Sequence, residues 1–335
     1  MHSWDLQKVS YSWLDGDTSI LAQNYYPSGI ETQLSAANVS AAIMVQAANS
    51  IEDTAFMFDC AAQYPWIIGV VGWVDLLDPE TAKQQLEAHL QNKYFKGVRH
   101  LIHDEPDSNW LLQPNVIKSL EILANHGLPF DVVGVKTEHI IAAIQVAKQI
   151  PHLNMVFDHL SHPPITTNEL FGAWGDAIAE AAAMPNFFAK ISGLGTCCAN
   201  FNDWSATTIE PYVAYVIKHF GVDKCMVGGD WPVSLLAGDY VTTHQQYQAI
   251  IEKLVAPENQ QKIYSTNAAA FYKLNLLFTI STSILLFLKR LLSVSLSVNG
   301  SDSPLPIVAI RPAAMPNLTS AALTASALLL DKIIL

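Results

Sequence analysis

Short apolar runs recur along the chain, each followed by a polar turn and then a longer stretch whose apolar residues keep helical spacing. The runs are 41–46 (AAIMVQ), 67–73 (IIGVVGW), 95–102 (FKGVRHLI), 128–133 (LPFDVV), 153–158 (LNMVFD), 187–191 (FFAKI) and 225–228 (CMVG). Their lengths and flanking turns predict strands. Helical patterns fall between them at 81–90, 115–125 and 138–149. Strands of this kind alternating with helices predict a parallel sheet covered by helices. Seven such strands fit a (β/α)8 barrel with one strand unaccounted for, expected ahead of residue 2. The competing arrangement is a doubly wound open sheet, which calls for a glycine-rich first turn. The chain has no GxGxxG.

Composition narrows this picture. Half of the 335 residues are hydrophobic and only 14% are charged. That excludes a disordered chain and a coiled coil. The net charge of −12 gives nothing suited to a phosphate backbone, so no nucleic-acid partner is expected. The four cysteines show no CxxC spacing, and the first residues, MHSWD, lack the basic and apolar regions of a signal peptide. A reducing, cytoplasmic setting follows as the expectation. The composition changes after residue 274. The segment 275–335 is rich in Leu, Ser, Ala and Thr and contains no Trp, Tyr or His. Its uncharged run, 274–288, is interrupted by Lys289 and Arg290 and is short for a membrane span. The expected organisation is therefore a barrel over 1–274 followed by an unrelated apolar extension over 275–335. Membrane contact by that extension is not expected.

The polar residues gather at the ends of the strands. The third run carries Arg99 and His100, with His103-Asp104-Glu105 after it. The fifth ends in Asp158-His159, the sixth carries Lys190 and Ser192, and the seventh runs into Gly228-Gly229-Asp230-Trp231-Pro232. In a barrel the carboxyl ends of the strands form one mouth, and active sites sit there. Arg99, His100, His159, Lys190 and Asp230 are thus expected to converge. Asp230 suits a general base, as an alternative to a capping role. His159 is read as a site residue against the ordinary reading of a satisfied core histidine. Arg99 is either a substrate clamp or half of a structural ion pair. Trp73, Trp110 and Trp231 either line a pocket or pack the core. His89, His126, His139, His152, His219 and His244 fall in helices or connections and are expected at the surface. Cys197-Cys198 has no neighbouring base and is expected to be inert.

Taken together, several segments resemble the amidohydrolase-related TIM-barrel hydrolases, in the branch of sugar lactonases and 2-pyrone-4,6-dicarboxylate lactonase. The segments include His2-Ser-Trp-Asp, Pro65-Trp-Ile-Ile-Gly-Val-Val-Gly-Trp-Val-Asp, Lys96-Gly-Val-Arg-His, Phe157-Asp-His-Leu, Lys190-Ile-Ser-Gly-Leu and Gly229-Asp-Trp-Pro. They lie in order from residue 2 to about residue 274. The resemblance implies a (β/α)8 barrel that hydrolyses a lactone of a sugar acid or dicarboxylate. The family's first strand ends in a His-x-His pair, and His2 matches its second histidine. The first histidine and most of that strand have no counterpart in this sequence. His159 and Asp230 match the family's later histidine and final aspartate. By the resemblance, Asp230 is the base for water. His159, Arg99 and His100 assist it at the carbonyl, and Arg99, Lys190 and Trp231 bind substrate. His2, His159 and Asp230 would hold a divalent cation, zinc foremost, which part of the branch does without. The alternatives are a metal-dependent decarboxylase on the same barrel, or a truncated, inactive barrel. The expected partner is a small molecule, and the oligomeric state is left open.

Overall fold

The structure, a computed structural model, describes residues 1–166, 170–274 and 332–334. Seven parallel strands follow one another around a curled sheet: β1 (Ala41–Val45), β2 (Ile67–Gly72), β3 (Phe95–His100), β4 (Phe130–Val132), β5 (Met155–Phe157), β6 (Phe187–Ile191) and β7 (Cys225–Val227). Each predicted run contains one of these strands, trimmed by a residue or more at all but the sixth. Helices α1 (Glu31–Ala36), α2 (Ile51–Gln63), α3 (Pro79–His89), α4 (Pro114–Asn125), α5 (Thr137–Gln149), α6 (Gly172–Ala182), α7 (Ala206–Phe220) and α8 (Tyr240–Leu254) cover the outside. This is the barrel-like α/β architecture rather than the doubly wound one, since consecutive strands are neighbours throughout.

Alternation along each strand sorts the side chains. Val98, Phe130, Val132, Ala189 and Ile191 point outward into the main core beneath the helices. Ile43, Val45, Val71, Val156 and Met226 point inward and pack with Phe271 and Tyr272. The inward positions also hold charge. Register sets Arg99 opposite Asp131, Asp131 opposite Val156, and Lys190 opposite Met226.

Two further segments lie against the edge of β1. A short strand, β8 (Ile333–Ile334), runs parallel to it at Ala41 and Ala42. Higher up, Val45 donates its amide to the Met1 carbonyl, and the His2 amide donates to the carbonyl of Trp231. Met1–His2 thereby join the carboxyl end of β1 to the turn after β7. The remainder of the extension, 275–331 and 335, lies outside the described residues, and with it the apolar run at 275–288. Among the described residues no helix is long and apolar enough to cross a membrane.

Three histidines expected at the surface are buried: His89, His139 and His244. They sit on the inward faces of α3, α5 and α8, where an imidazole covers apolar surface and uses one ring nitrogen for a polar contact. His89 packs on Phe58 and Phe95. His139 Nδ1 accepts the Val135 amide, and His244 stacks on Tyr240. A place in a helix does not by itself put a histidine at the surface; the helical period decides which face it occupies.

Candidate active site

A cavity of about 200 Å³ opens at the carboxyl ends of the strands. Its floor carries His2, Arg99, His159 and Asp230. Two of these reach it through unusual backbone. Asp230 has φ +51°, directly after the two glycines that end β7. His159, Leu160, Ser161 and His162 have φ between +52° and +56°, so one left-handed turn follows β5. None of the four is glycine, and such positions cost of order 1–3 kcal/mol each; they cluster at functional sites. Gly193, with φ +60°, makes room for the pair. A Cβ there would stand 2.6 Å from His159 Nδ1 and 2.8 Å from Asp230 Oδ2. The motif Lys190-Ile-Ser-Gly-Leu contains this glycine, but nothing in the sequence marks it as the residue that makes room for the pair.

Three acceptor-type atoms converge on the floor. His2 Nδ1 donates to the Val45 carbonyl at 2.8 Å, which leaves Nε2 facing Asp230 Oδ1 at 3.3 Å. His159 Nδ1 contacts Ser192 Oγ at 2.9 Å, and its Nε2 stands 3.5 Å from the same carboxylate oxygen. Burial pushes the His2 imidazole down to about 4, so it is neutral at pH 7. Burial raises the Asp230 carboxyl, but the neighbouring His159 and His2 outweigh it and hold the group below its usual range. A neutral imidazole whose Nδ1 is a donor presents a bare lone pair at Nε2. That lone pair faces a carboxylate oxygen, so the floor is suited to accommodate a proton or a cation.

Beneath the floor lies an ion network closed to solvent. Arg99 pairs with Asp158 at 2.8 Å and donates to the Gln46 carbonyl. Lys190 bridges Asp131 at 2.6 Å and Asp158 at 2.7 Å. The Tyr272 hydroxyl donates to Asp131 at 2.9 Å. Desolvation alone would raise the Asp158 carboxyl, but Lys190 and Arg99 hold it well below the usual range. Breaking such a buried pair typically costs about 3–5 kcal/mol. Lys190 therefore sits among carboxylates below the cavity, and Arg99 is both an ion-pair partner and a lining residue.

Two other expected site residues stand apart from the cavity lining. His100 is stacked on Trp110 with centroids 4.0 Å apart, accepts the Trp73 indole N–H at 3.0 Å and contacts Glu105 at 2.7 Å. Trp231 is buried against Tyr25 and Gly29. Trp73 and Trp110 thus serve His100. Cys197 and Cys198 are buried free thiols, and burial raises both above the usual thiol range. The remaining wall comes from residues to which the sequence assigned no role. Trp4, Trp13, Leu101, Val133 and Val135 are apolar, and His103 is partly open to the cavity.

A family model described as Amidohydrolase matches residues 20–274. The chain belongs to the amidohydrolase family. It is 30% identical over 277 residues to an L-fucono-1,5-lactonase of Burkholderia ambifaria, covering 82% of this chain and 94% of that protein. It is 24% identical over 233 residues to an L-rhamnono-gamma-lactonase of Scheffersomyces stipitis, covering 63% and 67%. Among solved structures it is similar to an amidohydrolase from Burkholderia multivorans with bound zinc. The TM-score there is 0.76 at 26% identity, over 82% of this chain and 97% of that one. These findings agree with the branch that the sequence motifs resemble, and with an enzyme.

The zinc in that relative raises the question of fit. Among the described residues of this amidohydrolase, no group of three or more His, Cys, Asp or Glu is spaced to hold a metal ion as it stands. The donor chemistry nevertheless suits one. Two imidazole Nε2 atoms face the same carboxylate oxygen, with each Nδ1 held by an oxygen partner. Zinc takes such ligands, and outer hydrogen bonds of this kind orient metal-bound histidines.

Proposed function

We propose that this amidohydrolase opens lactones of small sugar acids by hydrolysis, with Asp230 as the general base. One observation carries the reading. The Asp230 carboxylate sits on the cavity floor in a strained conformation, with the Nε2 atoms of His2 and His159 3.3 and 3.5 Å from one oxygen. The lactonase relatives support the choice of substrate. The cavity, at about 200 Å³, suits a single small ring rather than a drug-sized ligand.

In this reading the lactone carbonyl lies over the floor and a water stands beside Asp230. Asp230 takes a proton from the water as its oxygen attacks the carbonyl carbon. General base catalysis of this kind contributes about 10²–10⁴-fold. The side chain's low proton affinity keeps it ionised at neutral pH. Arg99, held flat by Asp158 and Gln46, presents fixed positive charge to the developing oxyanion. Collapse of the tetrahedral intermediate breaks the ring C–O bond, the proton held by Asp230 passes to the leaving ring oxygen, and the hydroxy acid is released with Asp230 ionised again. His2, His159 and Asp230 would hold a divalent cation, which when bound supplies Lewis-acid polarisation of the carbonyl or of water. Lys190 keeps Asp158 in place for Arg99, and His100 contacts Asn49, whose side chain accepts the amide of the wall residue Leu101.

Turnover in ¹⁸O-water tests the chemistry. Hydrolysis predicts one ¹⁸O in the product carboxylate and no carbon dioxide. Release of carbon dioxide from a carboxylated aromatic substrate, with no lactone opened, would instead establish a decarboxylase.

A further inference from the structure

Seven strands leave a (β/α)8 barrel one strand short, and the vacant place is beside β1. Among the described residues, two segments far apart in sequence lie along that edge of β1. Near its start, β8 pairs in parallel at Ala41 and Ala42, and the Lys332 carbonyl accepts the Ser40 amide at 3.0 Å. Near its end, the Met1 nitrogen donates to the Ile43 carbonyl at 3.1 Å, and the Met1 carbonyl accepts the Val45 amide at 2.9 Å. Bonds to the residues on either side of Met44 are the pattern of a parallel neighbour. Both segments therefore run in the direction of β1. Ile334 stands opposite Ala42 and Met1 opposite Met44, so only the position of Ile43 separates them along the edge.

The far side of the seam is tied at both levels. The His2 amide donates to the Trp231 carbonyl, just past β7, at 2.6 Å. β8 packs on the helical turn Lys262–Thr266, which in turn packs against β7. Lys332 anchors β8 to α8: its ammonium donates to Gln248 Oε1 at 3.0 Å and to His244 Nε2 at 3.3 Å. The same ammonium lies 4.7 Å from the centre of the Tyr264 ring. Lys332 and Ile333 are both buried. A lysine is almost never buried without such partners, so β8 is built into the barrel rather than laid on its surface.

We propose that these two segments together form the eighth barrel strand, and that β8 is a positioning element of the active site. His2 is held on the same edge, where its Nδ1 donates to the Val45 carbonyl. Without β8 the edge of β1 is unpaired from Ser40 to Ala42, and unpaired backbone opens locally. Ile43 and Val45, which hold Met1 and His2, follow directly on that stretch. The positioning role rests on the hydrolase reading; the composite strand does not.

Amide hydrogen exchange on the full chain tests it. In the unmodified protein the Ser40 and Val45 amides should both be protected. Ile333→Asp places an unpaired carboxylate at a buried position of β8 and should undock it. Ser40 should then exchange about tenfold faster or more, and Val45 with it, because the two segments act as one strand. Val98 and Phe130, which donate to the Pro129 and Asn154 carbonyls, should keep their protection. Ile333→Ala is a milder second variant, read at the same amides if Ile333→Asp does not fold, and Ile333→Val should restore protection. On a sugar-acid lactone, kcat should fall about tenfold with KM little changed, since His2 shifts against Asp230. Rapid exchange of Ser40 in the unmodified protein would overturn the docking of β8. Loss of Ser40 protection with Val45 unaffected would overturn the composite strand. Unchanged kcat in a variant whose Val45 amide has lost protection would overturn the positioning role. Absence of lactone turnover in the unmodified protein would instead overturn the hydrolase reading and leave the exchange result standing.

Discussion

The ends of β3 and β5 look alike in sequence and act differently in space. Each carries a charged residue and then a histidine, Arg99-His100 in one and Asp158-His159 in the other. Strand alternation sends Arg99 inward and His100 outward, and His100 ends up sealed between Trp110, Trp73 and Glu105. The same alternation, continued from Val156 through Asp158, would send His159 outward too. It does not, because the backbone turns left-handed at His159 and swings the ring back over the floor. A histidine at a barrel mouth is therefore not placed by its position in a motif alone. The conformation of the residue that bears it decides which side it faces.

Two substitutions separate the two ends. His159→Asn should lower kcat on a lactone by about 100-fold or more, since it removes a group at the reacting water. The protein should stay folded. His100→Ala should have the opposite profile. It leaves the Trp73 indole N–H without its acceptor, which costs about 1–3 kcal/mol of stability. Its kcat should fall far less than that of His159→Asn. Paired measurements of kcat and thermal unfolding check this, and equal losses of kcat would erase the distinction between the two strand ends.

A smaller effect sharpens the same point. Gly193→Ala places a methyl group against His159 and Asp230 at the distances given above, on a backbone with φ +60°. The conformational cost is about 1–2 kcal/mol. Displacing the two side chains should reduce kcat by roughly 10- to 100-fold, because small misplacements of reacting groups are costly. Crystals or NMR of the variant should show the His159 ring shifted. Full activity would mean that the close packing around Gly193 has no part in positioning the pair.

Much of the architecture was legible in the sequence. All seven apolar runs contain strands of the sheet, and the motifs Phe157-Asp-His-Leu and Gly229-Asp-Trp-Pro located the two residues that meet on the floor. Periodicity carries that information, since a strand buried on both faces reads as a continuous apolar run. The rest depended on conformation and pairing that no run displays. The left-handed turn at 159–162 uses no glycine, so nothing in its composition announces it. Lys190 reads as a mouth residue, and only its side-chain contacts show that it is bound between Asp131 and Asp158. Trp231 stands next to Asp230 in sequence yet turns into the core against Gly29. The aromatic wall arises from residues 4 and 13, in a stretch with no regular pattern, brought over the mouth by the pairing of Trp4 with Tyr25.

The central claim is that the Asp230 carboxylate activates water on the floor of this cavity. Asp230→Asn preserves the size of the side chain and removes the base. Its kcat on a sugar-acid lactone, measured beside the unmodified protein at the same pH and metal content, should fall by about 10²–10⁴-fold with the melting temperature little changed. Unchanged turnover in the folded variant would contradict the assignment.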